Sequence, residues 1–270
     1  MAAPALLYEK RDGIAYLTFN RPHVRNAVNP EALCRLADAW QDYAADDSLR
    51  VAIITGAGDQ VFTAGADLGT LIPLLSGARE PQDDWDRRVL QDPQMRERAG
   101  LREFPLYKPI IAAINGLAIG LGTELLQATD LRIAAEHAAF AVNEVTRGFM
   151  PGGGSAVRLA RQIPLCKAME IVLVGDRISA QEAWRIGLVN EVVAAQQVML
   201  RAEELARKIA ANGPIAVRKT KETVLRTLTV PIDEAYRIER MNAAFTMATE
   251  DAKEGPRAFM EMRPPRFKGK

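Results

Sequence analysis

Glu124 sits in the stretch NGLAIGLGTELLQATD (Asn115 to Asp130), directly behind Gly116, Gly120 and Gly122. A strand that ends in Asn-Gly and runs through glycines into a helix start gathers exposed backbone N–H groups where the helix dipole is positive. Such a place suits negative charge. One occupant would be a phosphate, as in dinucleotide-binding folds, and Glu144 lies twenty residues beyond Glu124, about where those folds carry a ribose-binding acid. The fingerprint G-x-G-x-x-G fails, however, because Leu125 fills its third glycine position and Glu124 would face the phosphates. The other occupant is an oxyanion. A thioester carbonyl that gains charge as an enolate needs two convergent N–H donors, each contributing roughly 3 kcal/mol in the transition state.

The glycine turn before Glu124 offers one donor. A second small-residue loop, FTAGADL (Phe62 to Leu68), offers the other, since Ala and Gly let a ligand approach the backbone closely. The segment VNEVTRGFMPGGG then puts Glu144 at a strand end, before a turn rich in Gly and Pro. Two carboxylates beside one oxyanion site can divide acid–base work, one ionised and the other protonated. Taken singly, the same features also describe unrelated packing turns and solvated surface glutamates.

The elements that must position these groups can be read from periodicity. LLYEK and IAYLTF alternate around Asp12-Gly13, which predicts a hairpin. NPEALCRLADAWQDYAADD predicts a helix capped by Asn29, with Pro30 at its first position and Glu31 in its first turn. VAIITGA and PIIAAINGL read as buried strands, with a loop between them and then a polar stretch of short helices and mobile loop from Ser76 to Lys108. Short strands follow around LRIAA and AAFAV. From Gly154 onward helices dominate, interrupted by the short strand LVNEVV, and Ser179 with Glu182 predicts a capping box. The expectation is an α/β core over residues 1–195 and a helical region over 196–270, whose apolar face must be buried on the core or on a neighbouring subunit.

Composition narrows the classes. The chain has 270 residues, 48% hydrophobic and 26% charged, with a formal net charge of +1, so nothing electrostatic points to nucleic acid or a membrane surface as the main partner. No uninterrupted apolar run is long enough to span a bilayer, and MAAPALLYEKRDG lacks the pattern of a signal or transit peptide, so a cytoplasmic protein is expected. Cys34 and Cys166 fall at apolar positions of helical patterns and read as buried thiols, His23 and His137 read as solvated, and no metal-ligand spacing occurs. GGGSAV lacks the G-x-S-x-G elbow of serine hydrolases. AVRKTKETVLR sets Arg218, Lys219, Lys221 and Arg226 on one helix, which reads as a solvated basic face, with RNA binding as a remote alternative.

FTAGADL, KPIIAAINGLAIGLGTELLQATDLRIAAEHAAF, NEVTRGFMPGGGSAVRLARQI and GDRISAQEAWRIGLVNEVV together resemble the enoyl-CoA hydratase (crotonase) family, over nearly the full chain. The resemblance implies a crotonase-like ββα spiral core with a helical C-terminal region that joins subunits into trimers or dimers of trimers. It implies an oxyanion hole from the peptide N–H groups of Ala66 and Leu121, and catalytic roles for Glu124 and Glu144. It places coenzyme A, as part of the substrate and with no separate cofactor, along Ala64, Gly65, Asp67 and Leu68, with Gly120, Gly122, Arg25 and Lys268 as further contacts. The implied reaction is reversible syn addition of water to a 2-enoyl-CoA of fatty acid metabolism, with Glu144 as proton donor to the α-carbon and Glu124 activating the water. Isomerase, specialised dehydratase and hydrolase reactions occur in the same family. Two positions depart from the common pattern: Leu121 replaces a frequent glycine, and Asn143 replaces a frequent proline. Both bear on the substrate rather than on the class of reaction.

Overall fold

The computed structural model describes residues 3–270. The hairpin forms as read: β1 (Leu6–Arg11) and β2 (Ile14–Phe19) pair antiparallel, and Asp12 and Gly13 both take positive φ at the turn. Helix α1 (Pro30–Ala45) follows, with the Asn29 side chain accepting from Ala32 N–H. Its buried stripe includes Leu33, Leu36, Trp40 and Tyr43. Strand β3 (Val51–Gly56) is buried at all six residues, the pattern of a parallel strand covered on both faces. Next come β4 (Val61–Thr63) and the short helices α2 (Leu71–Leu75), α3 (Asp84–Gln91) and α4 (Met95–Ala99).

The remaining core elements are β5 (Ile110–Ile114), β6 (Leu117–Ile119), α5 (Leu121–Leu126), β7 (Leu131–Ala135) and β8 (Ala139–Ala141). A 3-10 turn, Glu144–Arg147, precedes α6 (Ser155–Gln162) and α7 (Leu165–Val174). Strand β9 (Ile178–Ser179), α8 (Ala180–Arg185) and β10 (Glu191–Val193) complete the sheets, and α9 (Val198–Ala210), α10 (Pro214–Thr227), α11 (Ile232–Met247) and α12 (Glu250–Met260) end the chain.

Two sheets result. The larger runs β1-β2-β3-β5-β7-β10 and the smaller β4-β6-β8-β9. Three successive strand pairs, β3–β4, β5–β6 and β7–β8, each send their first strand to the large sheet and their second to the small one. This is the expected ββα spiral. Periodicity alone reads PIIAAINGL as one strand and leaves β4 in a loop. In fact the chain turns at Asn115, whose amide donates to Gly56 O and Gly58 O and so ties the corner of one repeat to the next.

Helix α9 lies on β3, β5 and β7, while α10 to α12 pack largely on one another. The basic residues of α10 do not form a free stripe. Arg218 pairs with Asp47, Lys221 with Asp130, and Lys219 and Arg226 with Glu222. Ser179 Oγ accepts from Glu182 N–H as expected, but the Glu182 carboxylate turns to Arg185 and Lys167 instead of closing the box. Cys34 is buried, but Cys166 is exposed. Its face of α7 also exposes Leu165, Met169 and Leu173. Among the described residues no helix is long and apolar enough to cross a membrane.

Candidate active site

The FTAGADL loop and the turn before α5 meet. Gly65 has φ +85°, and a Cβ added there would lie 2.5 Å from Ile119 O and 3.2 Å from Leu121 N, so only glycine permits this approach. On its other side the loop pairs with Val28: Val28 N–H donates to Gly65 O, and Asp67 N–H donates to Val28 O. That pairing consumes groups of the residues flanking Ala66 and turns Ala66's own N–H away, where it finds no acceptor among the described residues. Leu121 opens α5 behind Gly120, which has no side chain to cap it, so Leu121 N–H likewise finds no acceptor among the described residues. Two unsatisfied donors thus sit on adjoining loops.

Glu124 follows one turn later and is 2% exposed. Its Oε1 accepts from Gly153 N–H at 2.8 Å and Ser155 N–H at 3.1 Å. Burial pushes its pKa up, and these N–H groups, with Arg102 and Arg158 nearby, oppose the shift. The carboxyl is therefore fixed in place, and its donors limit the rise that burial imposes. Glu144 lies in the 3-10 turn after β8, not in the strand, and is 8% exposed. A Cβ added at Gly120 would come within 2.9 Å of Glu144 Oε1, so the missing side chain makes room for the carboxyl. Its Oε2 is buried without a hydrogen-bond partner. Burial and the charge of Glu124 push the Glu144 pKa up to about 7. Burial raises both groups, but donors oppose the rise at Glu124 while a neighbouring charge adds to it at Glu144.

Both glutamates line one cavity of about 410 Å³. Ala64, Ala66, Leu68, Gly120 and Leu121 line it too. Its apolar wall includes Leu71, Ile72, Leu75, Phe149 and Met150, and Arg96, Arg102, Arg147 and Asn143 add polarity. Other expected residues lie outside it. Gly122 packs against Thr63, and Asp67 is engaged by Arg21 and by the N–H groups of Gly69 and Thr70. Arg25 accepts from Ala64 N–H through its carbonyl while its side chain is exposed. Lys268 is held on α12 through Asp251 and borders two separate surface hollows, so within one chain it does not reach the cavity. Ser155 is committed as well, its hydroxyl accepting from Gln127 at 2.7 Å. His137 is exposed.

Sequence reasoning did not single out Gly153 and Ser155, whose N–H groups hold Glu124. The glycine run before α6 was the only available signal. Arg102, which donates to Gly152 O, and Arg158, which donates to Gly100 O and Leu101 O, brace that turn from the far side and were equally unmarked.

Residues 9–270 match the family model described as enoyl-CoA hydratase/isomerase. The chain is 40% identical to the enoyl-CoA hydratase EchA19 of Mycobacterium tuberculosis, over 100% of this chain and 98% of that protein. It is 37% identical to the carnitinyl-CoA dehydratase of Salmonella typhi, over 98% of each. The crystal structure of an enoyl-CoA hydratase from M. tuberculosis H37Rv superposes with a TM-score of 0.89 at 38% identity, covering 99% of this chain and 100% of that one. The chain belongs to the enoyl-CoA hydratase/isomerase family.

Proposed function

We propose that the protein reversibly adds water across the double bond of a 2-enoyl-CoA thioester. The thioester oxygen sits on the N–H groups of Ala66 and Leu121, which have no competing acceptor and stabilise the enolate as it forms. Glu124, ionised and oriented by Gly153 and Ser155, takes a proton from the water as its oxygen bonds to the β-carbon. Glu144, protonated near neutral pH, gives its proton to the α-carbon from the same side. Proton exchange between the carboxyls and water resets the site. The reverse sequence dehydrates a 3-hydroxyacyl-CoA, the direction named for the S. typhi relative.

The observation that carries this reading is the contrast between the two buried carboxyls: one fixed by two backbone donors, the other with an unpartnered oxygen. The test is loss of the conjugated thioester absorbance of a short 2-enoyl-CoA with wild type, Glu124→Gln and Glu144→Gln. Each variant should lose at least about a hundredfold. Wild type that binds the thioester and leaves the double bond intact would overturn the reaction.

The same proposal takes the protein as a cytoplasmic homo-oligomer, a trimer or dimer of trimers. Helices α10 and α11 and the turn between them expose Leu225, Leu228, Ile232, Tyr236, Met241 and Phe245, an apolar surface suited to a second copy. A light-scattering mass equal to one chain would contradict it.

A further inference from the structure

Contacts trace a direction through the cavity. Ala66 and Leu121 mark the position of the thioester oxygen in the proposed reaction, and Glu124 lies one turn further along α5. Gly153 touches Glu124, and a Cβ added at Gly153 would lie 2.3 Å from its Oε2. Beyond Gly153, Arg102 reaches Gly152 O, and Gly100 approaches Gly153 O. The segment Arg96–Arg102 therefore borders the cavity on the Gly153 side of Glu124, with Arg96 exposed at its rim.

The charge at that end is paired at Arg102 and unpaired at Arg96. Arg96 and Arg102 both line the cavity. Both arms of Arg102 are engaged, one by Glu97 and the other by Gly152 O. The Arg96 side chain makes no hydrogen bond or ion pair among the described residues. Neither of the cavity's carboxyls pairs with Arg96: Glu124 is held by Gly153 and Ser155, and Glu144 Oε2 has no hydrogen-bond partner. Arg147, the third guanidinium, is tied to Asn143 O and Thr146 Oγ1 on the Glu144 side. A planar guanidinium fork is the donor best matched to a carboxylate, and at this position it would meet the far end of the acyl group.

Resting on the hydratase reading for the orientation of the thioester, we infer that the substrate's acyl group carries a carboxylate beyond its β-carbon, received by Arg96. The apolar residues Leu71, Ile72 and Leu75 would flank the methylenes in between.

Recognition and reaction are read separately. Affinity is measured by calorimetry with saturated five- and six-carbon acyl-CoA thioesters ending in a carboxylate or in the matching primary amide, which bind and cannot be hydrated. The carboxylate should bind about ten- to a hundredfold more tightly than the amide, as expected for a charge-assisted pair. Arg96→Gln should collapse that ratio toward one, and Arg96→Lys should restore part of it. Equal affinities in wild type overturn the inference. So does a loss in Arg96→Gln that is equal for carboxylate and amide and vanishes with pantetheine thioesters, since Arg96 would then serve the nucleotide phosphates. Hydration of the unsaturated forms reports on the reaction alone: a retained carboxylate preference without turnover would sink the hydratase reading and leave the recognition standing.

Discussion

Replacing Glu144 by Gln should stabilise the fold increasingly as pH rises. In the native state burial and the neighbouring Glu124 hold the Glu144 pKa up at about 7, against 4.5 for the ordinary side chain. With the native value raised, wild type suffers no ionisation penalty below the unfolded pKa. The penalty grows through the window between the two values and is fully developed above the native one. Each pKa unit corresponds to about 1.4 kcal/mol, which gives a ceiling of roughly 3 kcal/mol. Between about pH 5 and about pH 8 the expected change is roughly 2 kcal/mol. The Gln amide brings its own cost if unpaired beside the buried position of Oε2, but that cost does not vary with pH. The change in stability difference with pH therefore isolates the carboxyl. Urea unfolding of wild type and Glu144→Gln at several pH values and one fixed protomer concentration measures it. A difference that stays flat across this range would refute the claim that the site strains this carboxylate, and with it the assignment of Glu144 as the acid.

Hydration kcat/KM should fall as pH rises through about 7, where Glu144 loses its proton, and an acid limb should appear where Glu124 becomes protonated; a rate that keeps climbing well above neutrality contradicts the assignment. Gly65→Ala forces a Cβ to 2.5 Å from Ile119 O at positive φ, so the two donor loops must separate, and kcat should drop about a hundredfold or more with the fold retained by circular dichroism. Gly153→Ala displaces the Glu124 carboxylate by steric overlap; kcat should fall by about a hundredfold, with little change in affinity for a saturated acyl-CoA.

Local chemistry explains which parts of this were legible. Asn29-Pro30 announces α1 because the cap and the fixed φ act within a few residues, and Asp12-Gly13 announces the hairpin for the same reason. The division between β5 and β6 was not legible, since both halves are apolar and a buried run has no period to show where it bends. Glu124 and Glu144 stood out by type and setting, but their difference did not. That difference depends on Gly153, 29 residues from Glu124 in sequence, bringing its N–H to one carboxyl and not the other. Cys166 shows the converse. Its apolar neighbours on α7 share helical spacing with a core stripe, yet the face they form is exposed on the single chain. Spacing identifies an apolar face without naming what covers it.

Water addition by two carboxyls at a backbone oxyanion site leaves an isotopic signature in the product. A 2-enoyl-CoA is incubated with the enzyme in D2O enriched in 18-oxygen, and the thioester product is examined by mass spectrometry and NMR. The expected product is a 3-hydroxyacyl-CoA with one heavy oxygen on the β-carbon and one deuterium on the α-carbon, added to the same face. Heavy oxygen in a released free acid, or a shifted double bond without heavy oxygen, would contradict it.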